Sequence, residues 1–346
     1  MTITLSDKEA KVLVAAQLQA NASSSTLQAA AGLPDHVVRR SLRRLIECNI
    51  AVPKALINVN PIGFDKTGVF FSLGSSEPTT RQQALDFLGQ LPHVVSLYEL
   101  CGEYEYFAVI ASRGAMALAA ILGEIAEAAP CFQQIAVSTR VSLSLYQRTY
   151  LADPLEPRTF VRYHHTDEEV QLAREDVAVL QGLDLHGVLT PAGLARAIGQ
   201  PASSVAYRLA RLERQRVVCG YLLHFRPETL GISTHHILVA CRANGPKMAE
   251  RLHQFCLGEP NVVVLAQCLG NWQYELRAET RDSNELAMLC VRLKRALGQD
   301  LVELKTHMLV QELRYMRSSF LWEIQQPAGS SMLCALDVEP EKKAVS

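Results

Sequence analysis

The sequence predicts an α+β chain built as two fused copies of one unit, each a winged helix-turn-helix followed by a ferredoxin-like βαββαβ domain. Two observations predict it: an internal repeat that holds its register, and within each copy a change from helical periodicity to an alternation of strands and helices. Gly32-Leu-Pro-Asp-His-Val-Val-Arg-Arg-Ser-Leu-Arg-Arg-Leu45 lies over Gly199-Gln-Pro-Ala-Ser-Ser-Val-Ala-Tyr-Arg-Leu-Ala-Arg-Leu212 at a shift of 167. Ile62-Gly63 lies over Leu230-Gly231, Pro92-His-Val-Val95 over Pro260-Asn-Val-Val263, and Gly102-Glu-Tyr-Glu-Tyr106 over Gly270-Asn-Trp-Gln-Tyr274, all at a shift of 168. One inserted residue therefore reconciles all these landmarks.

In the first copy, 7–19 reads as a first helix, with Ser6 or Asp7 as its cap. Serines 23 to 25 cap a short helix over 26–31 that ends at Gly32. Pro34 opens a third helix, where its missing N–H costs nothing, and Val38, Leu42 and Leu45 form one apolar stripe at i, i+4 and i+7. Residues 50–59 read as the wing, a pair of short strands. The second copy repeats this plan over 176–185, 190–198 and 202–215, with Val205, Leu209 and Leu212 as its stripe. The later part of the first copy predicts strands near 67–74, 93–101, 104–111 and 132–146, and helices near 78–90 and 113–128. The second predicts strands near 234–243, 261–269, 272–280 and 300–315, and helices near 246–257 and 282–297. Each such sheet is covered by helices on one face only, so its other face calls for burial against the second copy. The resulting division is 1–60, 64–150, a Pro- and charge-rich linker over 151–169, 170–227, 232–322, and a flexible tail over 325–346.

Composition is that of a globular chain: 49% hydrophobic, 20% charged, net charge −1. The most apolar stretch, Gly114 to Pro130, is broken by Glu124 and Glu127, which argues against a membrane span. The N-terminus lacks the basic start and apolar core of a signal peptide, and nine cysteines without a Cys-x-x-Cys pair fit reduced thiols, so a cytoplasmic location is expected. Charge is unevenly spread. From Asp35 to Lys54 five basic residues face two acidic ones, and from Arg196 to Arg216 five arginines face one acid, local balances of +3 and +4.

The third helix of a helix-turn-helix enters the major groove of double-stranded DNA, where arginines grip phosphates or guanine edges. The DNA-contacting candidates are therefore His36, Arg39, Arg40 and Arg43 in the first copy, and Ser203, Ser204, Tyr207, Arg208 and Arg211 in the second. Arg44 and Arg211 have the alternative of pairing with acids in the α/β half. The pairs His164-His165 and His235-His236 invite a metal reading. Neighbouring histidines in a strand point to opposite faces, however, and no acid or Cys cluster has ligand spacing, so no metal is expected. No phosphate loop, nucleophile elbow or His-Glu-x-x-His occurs; no catalytic residue or cofactor is assigned, and the chain is expected not to be an enzyme.

These residues resemble the leucine-responsive regulatory protein/AsnC (feast–famine) family of transcriptional regulators, in a tandem-fused form. Ala206-Tyr-Arg-Leu-Ala-Arg-Leu-Glu-Arg-Gln-Arg-Val-Val-Cys-Gly-Tyr221 is similar to its recognition helix and following strand, and Arg226-Pro-Glu-Thr-Leu-Gly231 to its hinge. Gly102-Glu-Tyr-Glu-Tyr106 is similar to its glycine-acid-aromatic-acid turn, whereas Gly270-Asn-Trp-Gln-Tyr274 keeps the shape and loses both acids. The resemblance implies sheets packed face to face, an intramolecular pseudo-dimer able to form a further homo-oligomer, and a small-molecule effector such as an amino acid. It makes Gly102, Glu103, Tyr104, Glu105, Gly270, Asn271 and Trp272 candidates for effector binding; a plain hairpin with Tyr104 and Trp272 packing across the sheet is the competing reading. Sirohaem decarboxylases resemble the same architecture and supply the alternative function. They carry histidine- and arginine-containing stretches where this chain has Glu99-Leu-Cys-Gly-Glu-Tyr104 and Gln267-Cys-Leu-Gly-Asn-Trp272, neither with a histidine. A third reading is a sensing and assembly module whose heads no longer bind DNA.

Overall fold

The computed structural model describes residues 3–152, 158–164, 169–187, 190–242, 245–316 and 318–325. The first helical trio is α1 (Asp7–Ala16), α2 (Ser24–Ala31) and α3 (Asp35–Glu47). Ser6 caps α1 in a reciprocal box: its hydroxyl accepts the Glu9 N–H at 3.4 Å and the Glu9 carboxylate accepts the Ser6 N–H at 2.9 Å. Ser23 caps α2, which stops at Gly32 in the left-handed region. Val12, Leu13, Val38 and Leu45 are fully buried between these helices, each contributing roughly 1.5–3 kcal/mol by leaving water.

After them come β1 (Ala51–Ile57), β2 (Asp65–Leu73), α4 (Pro78–Gln90), β3 (Val94–Cys101), β4 (Tyr106–Ser112), α5 (Gly114–Ala128), β5 (Phe132–Tyr146) and β6 (Phe160–His164). The second copy contributes α6 (Arg174–His186), α7 (Pro191–Ile198), α8 (Ala202–Arg214), β7 (Val218–Phe225), β8 (Ser233–Cys241), α9 (Pro246–Gly258), β9 (Val262–Gly270), β10 (Tyr274–Thr280), α10 (Ser283–Leu297) and β11 (Leu301–Tyr315). The chain is α+β, a tandem of helix-turn-helix and ferredoxin-like units. Residues 160–164, inside the stretch read as linker, form a strand on β5; the tail beyond 325 lies outside the described residues, as does His165.

The strand expected to pair with itself as a wing does not do so. Each copy has a single strand there, and β1 pairs antiparallel with β7, from Ala51↔Phe225 to Leu56↔Gly220. An isolated strand leaves its N–H and C=O groups unpaired, and the counterpart strand of the other copy satisfies them. Crossed packing follows, with α1 against β7 and α6 against β1.

The remaining strands run in the order β2-β4-β3-β11-β8-β10-β9-β5-β6, and β2 also pairs with β5, so eight of them close on themselves. Two ferredoxin-like sheets, β5-β2-β4-β3 and β11-β8-β10-β9, are thus joined edge to edge through β3–β11 and β5–β9. Helices α4 and α5 cover the outside of the first and α9 and α10 the outside of the second. The helix-free faces enclose one interior centred on Phe70, whose ring meets Phe107 at 4.5 Å, Trp272 at 4.8 Å and His236 at 5.3 Å. Among the described residues no helix is long and apolar enough to cross a membrane.

Candidate functional site

Period-two alternation puts Glu275, Arg277 and Glu279 of β10 on the inner face together. At the repeat-equivalent positions of β4 stand Phe107, Val109 and Ala111, so one half of the interior is apolar and the other charged. Glu275 is 2% exposed and sits at the centre of a polar cluster. It accepts from Arg140 Nη2 at 3.0 Å, Ser138 Oγ at 2.5 Å, Trp272 Nε1 at 3.1 Å and His236 Nε2 at 3.3 Å. Burial by itself would raise its carboxyl, but Arg140, His236 and Ser138 outweigh that and hold it well below the usual carboxylate range. Glu279 receives Arg148 through Nε and Nη2, both at 2.7 Å, and the Tyr150 hydroxyl. Burial keeps His236 neutral, and His307 is pushed down to about 4 by burial and by the His236 beside it.

The charged half opens into a cleft between the closed sheet and the β1–β7 ribbon. Three connected hollows of about 120, 260 and 380 Å³ share lining residues: Tyr98 and Arg277 join the first two, His224, Arg226 and Glu312 the second and third. Arg277 stacks on Tyr98 at 5.3 Å, and the imidazole of His224 lies on Tyr315 at 4.8 Å. Glu312, raised by burial, faces Arg277 and Arg226. Arg314 differs from the others. It is half-buried, its Nε is shut off from water without a partner, and burial depresses its guanidinium with no acid offsetting it among the described residues. A half-buried cation without a counter-ion marks a place for an anion.

The DNA candidates divide sharply. His36, Arg39, Arg40 and Arg43 are exposed on α3; Arg39 pairs with Asp35 of its own helix at 2.9 Å, and Arg40 and Arg43 have no ion pair among the described residues. On α8, Ser203 and Tyr207 are exposed, Tyr207 to 66%, and Ser204 is half-buried. Arg208 and Arg211 are not free: both bind the fully buried Asp176, at 2.9 and 3.1 Å, and Arg208 also binds Glu175 at 3.3 Å. They hold α8 to α6. The acids expected in the α/β half lie instead on the first helix of each trio, where Arg44 pairs with Glu9 as Arg211 does with Asp176.

The effector candidates form two turns whose aromatics meet inside. Tyr104 and Trp272 are each 4% exposed, with ring centres 6.3 Å apart across the interior. Their glycines serve close approach: at φ +152 and +145, a Cβ on Gly102 would strike the His307 ring and one on Gly270 the Val137 carbonyl. Glu103 pairs with Lys305 at 2.9 Å, Glu105 with Arg81 at 3.2 Å, and the Asn271 side chain accepts the Val137 N–H at 3.3 Å. His235 and His236 point to opposite faces, bonded to Thr280 and Glu275 respectively. Among the described residues no three metal-binding side chains gather. Arg140, Arg148, Arg277 and Arg314 were not singled out by sequence; the alternating Glu-x-Arg-x-Glu of a strand in a sheet expected to be buried against the other copy was the available signal.

No family profile matches the chain, and no curated protein matches it. Solved structures do. The fold is similar to that of the siroheme decarboxylase NirDL, with a TM-score of 0.57 at 14% identity, over 92% of this chain and 97% of that one. The same enzyme in complex with an iron-uroporphyrin III analogue gives 0.55 at 13% identity, over 92% and 97%. A transcriptional regulator from Neisseria meningitidis, solved with L-Met, aligns at 23% identity with a TM-score of 0.37, over 43% of this chain and 96% of that one. The end-to-end likeness to a decarboxylase overturns the expectation that the chain is not an enzyme.

Proposed function

We propose that this chain acts on a multiply carboxylated tetrapyrrole of the sirohaem type, held in the cleft between the β1–β7 ribbon and the closed sheet. The Arg314 guanidinium, without an acid partner among the described residues, carries the proposal. Arg226 and Arg277 line the same cleft, and guanidiniums recognise carboxylates through paired hydrogen bonds. The fold shared with NirDL supports the reading. Removing carbon dioxide from an acetate side chain is redox-neutral: the C–C bond breaks, its electron pair stays on the methylene carbon, and one proton converts that carbon to methyl. The imidazoles of His224 and His236 line the cleft as proton carriers, His236 in its neutral form. The missing histidines at 99–104 and 267–272 do not empty the interior of imidazole, because β11 brings His307 against Tyr104 and β8 brings His236 to the Glu275 carboxylate that Trp272 also bonds.

The test is titration of the full chain with iron-uroporphyrin III, read by the shift of its absorbance band, followed by mass analysis for loss of carbon dioxide. Arg314→Ala is expected to weaken binding at least about tenfold, the worth of one charge-assisted hydrogen bond. Unaltered spectra at all concentrations, or identical titrations with Arg314→Ala, would overturn the assignment.

A second reading rests on Arg40 and Arg43, the exposed α3 arginines without ion pairs among the described residues. On this reading the first head binds duplex DNA, while in the second Asp176 holds the two candidate arginines, Arg208 and Arg211. Binding of a mixed-sequence duplex should weaken with salt, and Arg40→Ala should lower the log–log slope by about one. Equal slopes for the parent and the variant would rule this out.

A further inference from the structure

The repeat supplies an internal comparison at the outer face of the two sheets. In the first half, Arg81 of α4 reaches over the sheet and is fully engaged. Its guanidinium donates to the Leu73 carbonyl at 3.1 Å, the Ser75 carbonyl at 3.1 Å, Glu105 at 3.2 Å and the Tyr106 hydroxyl at 3.1 Å. The second half preserves the surrounding frame. Tyr274 stands at the place of Tyr106, and Gln273 accepts the Cys241 N–H at 2.7 Å as Glu105 accepts the Leu73 N–H at 2.9 Å. The ion pair is gone: Ala249 of α9 occupies the position of Arg81, and the neutral Gln273 that of its partner Glu105. There the structure has a cleft of about 390 Å³, walled by Ala249, Glu250, Leu265, Gln267 and Tyr274. Tyr274 is fully buried and its hydroxyl has no partner among the described residues. An unsatisfied buried hydroxyl costs free energy that its counterpart Tyr106 avoids through Arg81.

We propose that this cleft binds a small guanidinium or primary ammonium compound, whose cationic head takes the place in the second half that the Arg81 side chain takes in the first. The Tyr274 hydroxyl accepts from the head, and Glu250 on the cleft wall supplies the opposite charge. Arg162 also lines the cleft, where it donates to Ser144 of the same wall at 3.0 Å and lies over the Phe160 ring at 5.6 Å. The site is on the outer face of the sheet, beneath α9, and shares no lining residue with the arginine cleft except positions 141 and 142 of β5.

Agmatine is the probe, titrated into the full chain and followed by calorimetry and by the unfolding midpoint. Saturable binding and a raised midpoint are expected. Ala249→Arg restores the first half's own occupant, so it should raise the midpoint without ligand and abolish the agmatine response. Tyr274→Phe removes the accepting hydroxyl, keeps the ring, and should weaken agmatine at least about tenfold while leaving the fold intact. No saturable response to agmatine would overturn the proposal. So would a response of equal strength in Tyr274→Phe, which remains decisive if Ala249→Arg fails to fold.

Discussion

Glu275→Ala is expected to destabilise the chain by about 3–5 kcal/mol, because it leaves the guanidinium of Arg140 inside the closed sheet without its anion. Ser138, Trp272 and His236 lose their acceptor in the same step. Chemical unfolding followed by tryptophan fluorescence measures it, since Trp272 lies against the substituted position. Replacing the pair together, as Glu275→Leu with Arg140→Met, should recover most of the loss, because a well-packed apolar pair removes the unpaired charge. The first half already holds the apolar form of this arrangement, with Phe107 where the second has Glu275 and Gly68 where it has His236. The frame therefore does not require the ions for folding. Acid sensitivity should follow the sign of the carboxyl's shift. Its folded value lies below the unfolded one, so its contribution is complete above the ordinary carboxylate range and disappears as pH falls toward the folded value. Glu275→Gln should flatten that acid limb. A loss below about 1 kcal/mol for Glu275→Ala would mean that the pair behaves as a surface ion pair.

Such contrasts between halves explain how much of this protein was legible in its sequence. The strands and helices were, because β2, β3 and β4 and most of their counterparts contain short apolar runs, and Gly32, Pro34, Gly199 and Pro201 punctuate both helical trios. The repeat also located residues equivalent between the halves, Tyr106 with Tyr274 and Glu9 with Asp176. What such runs cannot reveal is which edges meet. Strand 50–59 carries nothing in its own residues to say that its partner is β7, some 170 residues downstream. The closed sheet depends on the β2–β5, β3–β11 and β5–β9 pairings, all long-range. The cleft was invisible for the same reason: Tyr98, His224, Arg277 and Arg314 come from four strands and become neighbours only once the sheet closes. The aromatic turns were found by sequence, yet their burial follows from the opposing half, since Tyr104 packs on His307 and Trp272 on Phe70.

The two basic clusters were also read from sequence, and the fold gives them unequal meanings that a second substitution exposes. Asp176→Ala is expected to cost about 3–5 kcal/mol, concentrated in the second helical trio. Asp176 is fully buried, binds Arg208 and Arg211 through separate oxygens, and accepts the Ala173 N–H at 2.8 Å at the start of α6. Removing it takes the acid from two partly buried guanidiniums, leaving Arg208 only the more exposed Glu175, and uncaps a helix. The Arg208 Nε is already without a partner among the described residues. Glu9→Ala, the same change at the equivalent position, should cost much less, because the Arg44 side chain is 49% exposed and water can replace its partner. Hydrogen exchange should show α6 to α8 opening in Asp176→Ala while β8 to β11 keep their protection. Equal and small losses in the two variants would mean that Arg208 and Arg211 can turn to solvent. The arginines of α8 would then be available to DNA after all, and the two heads would be alike.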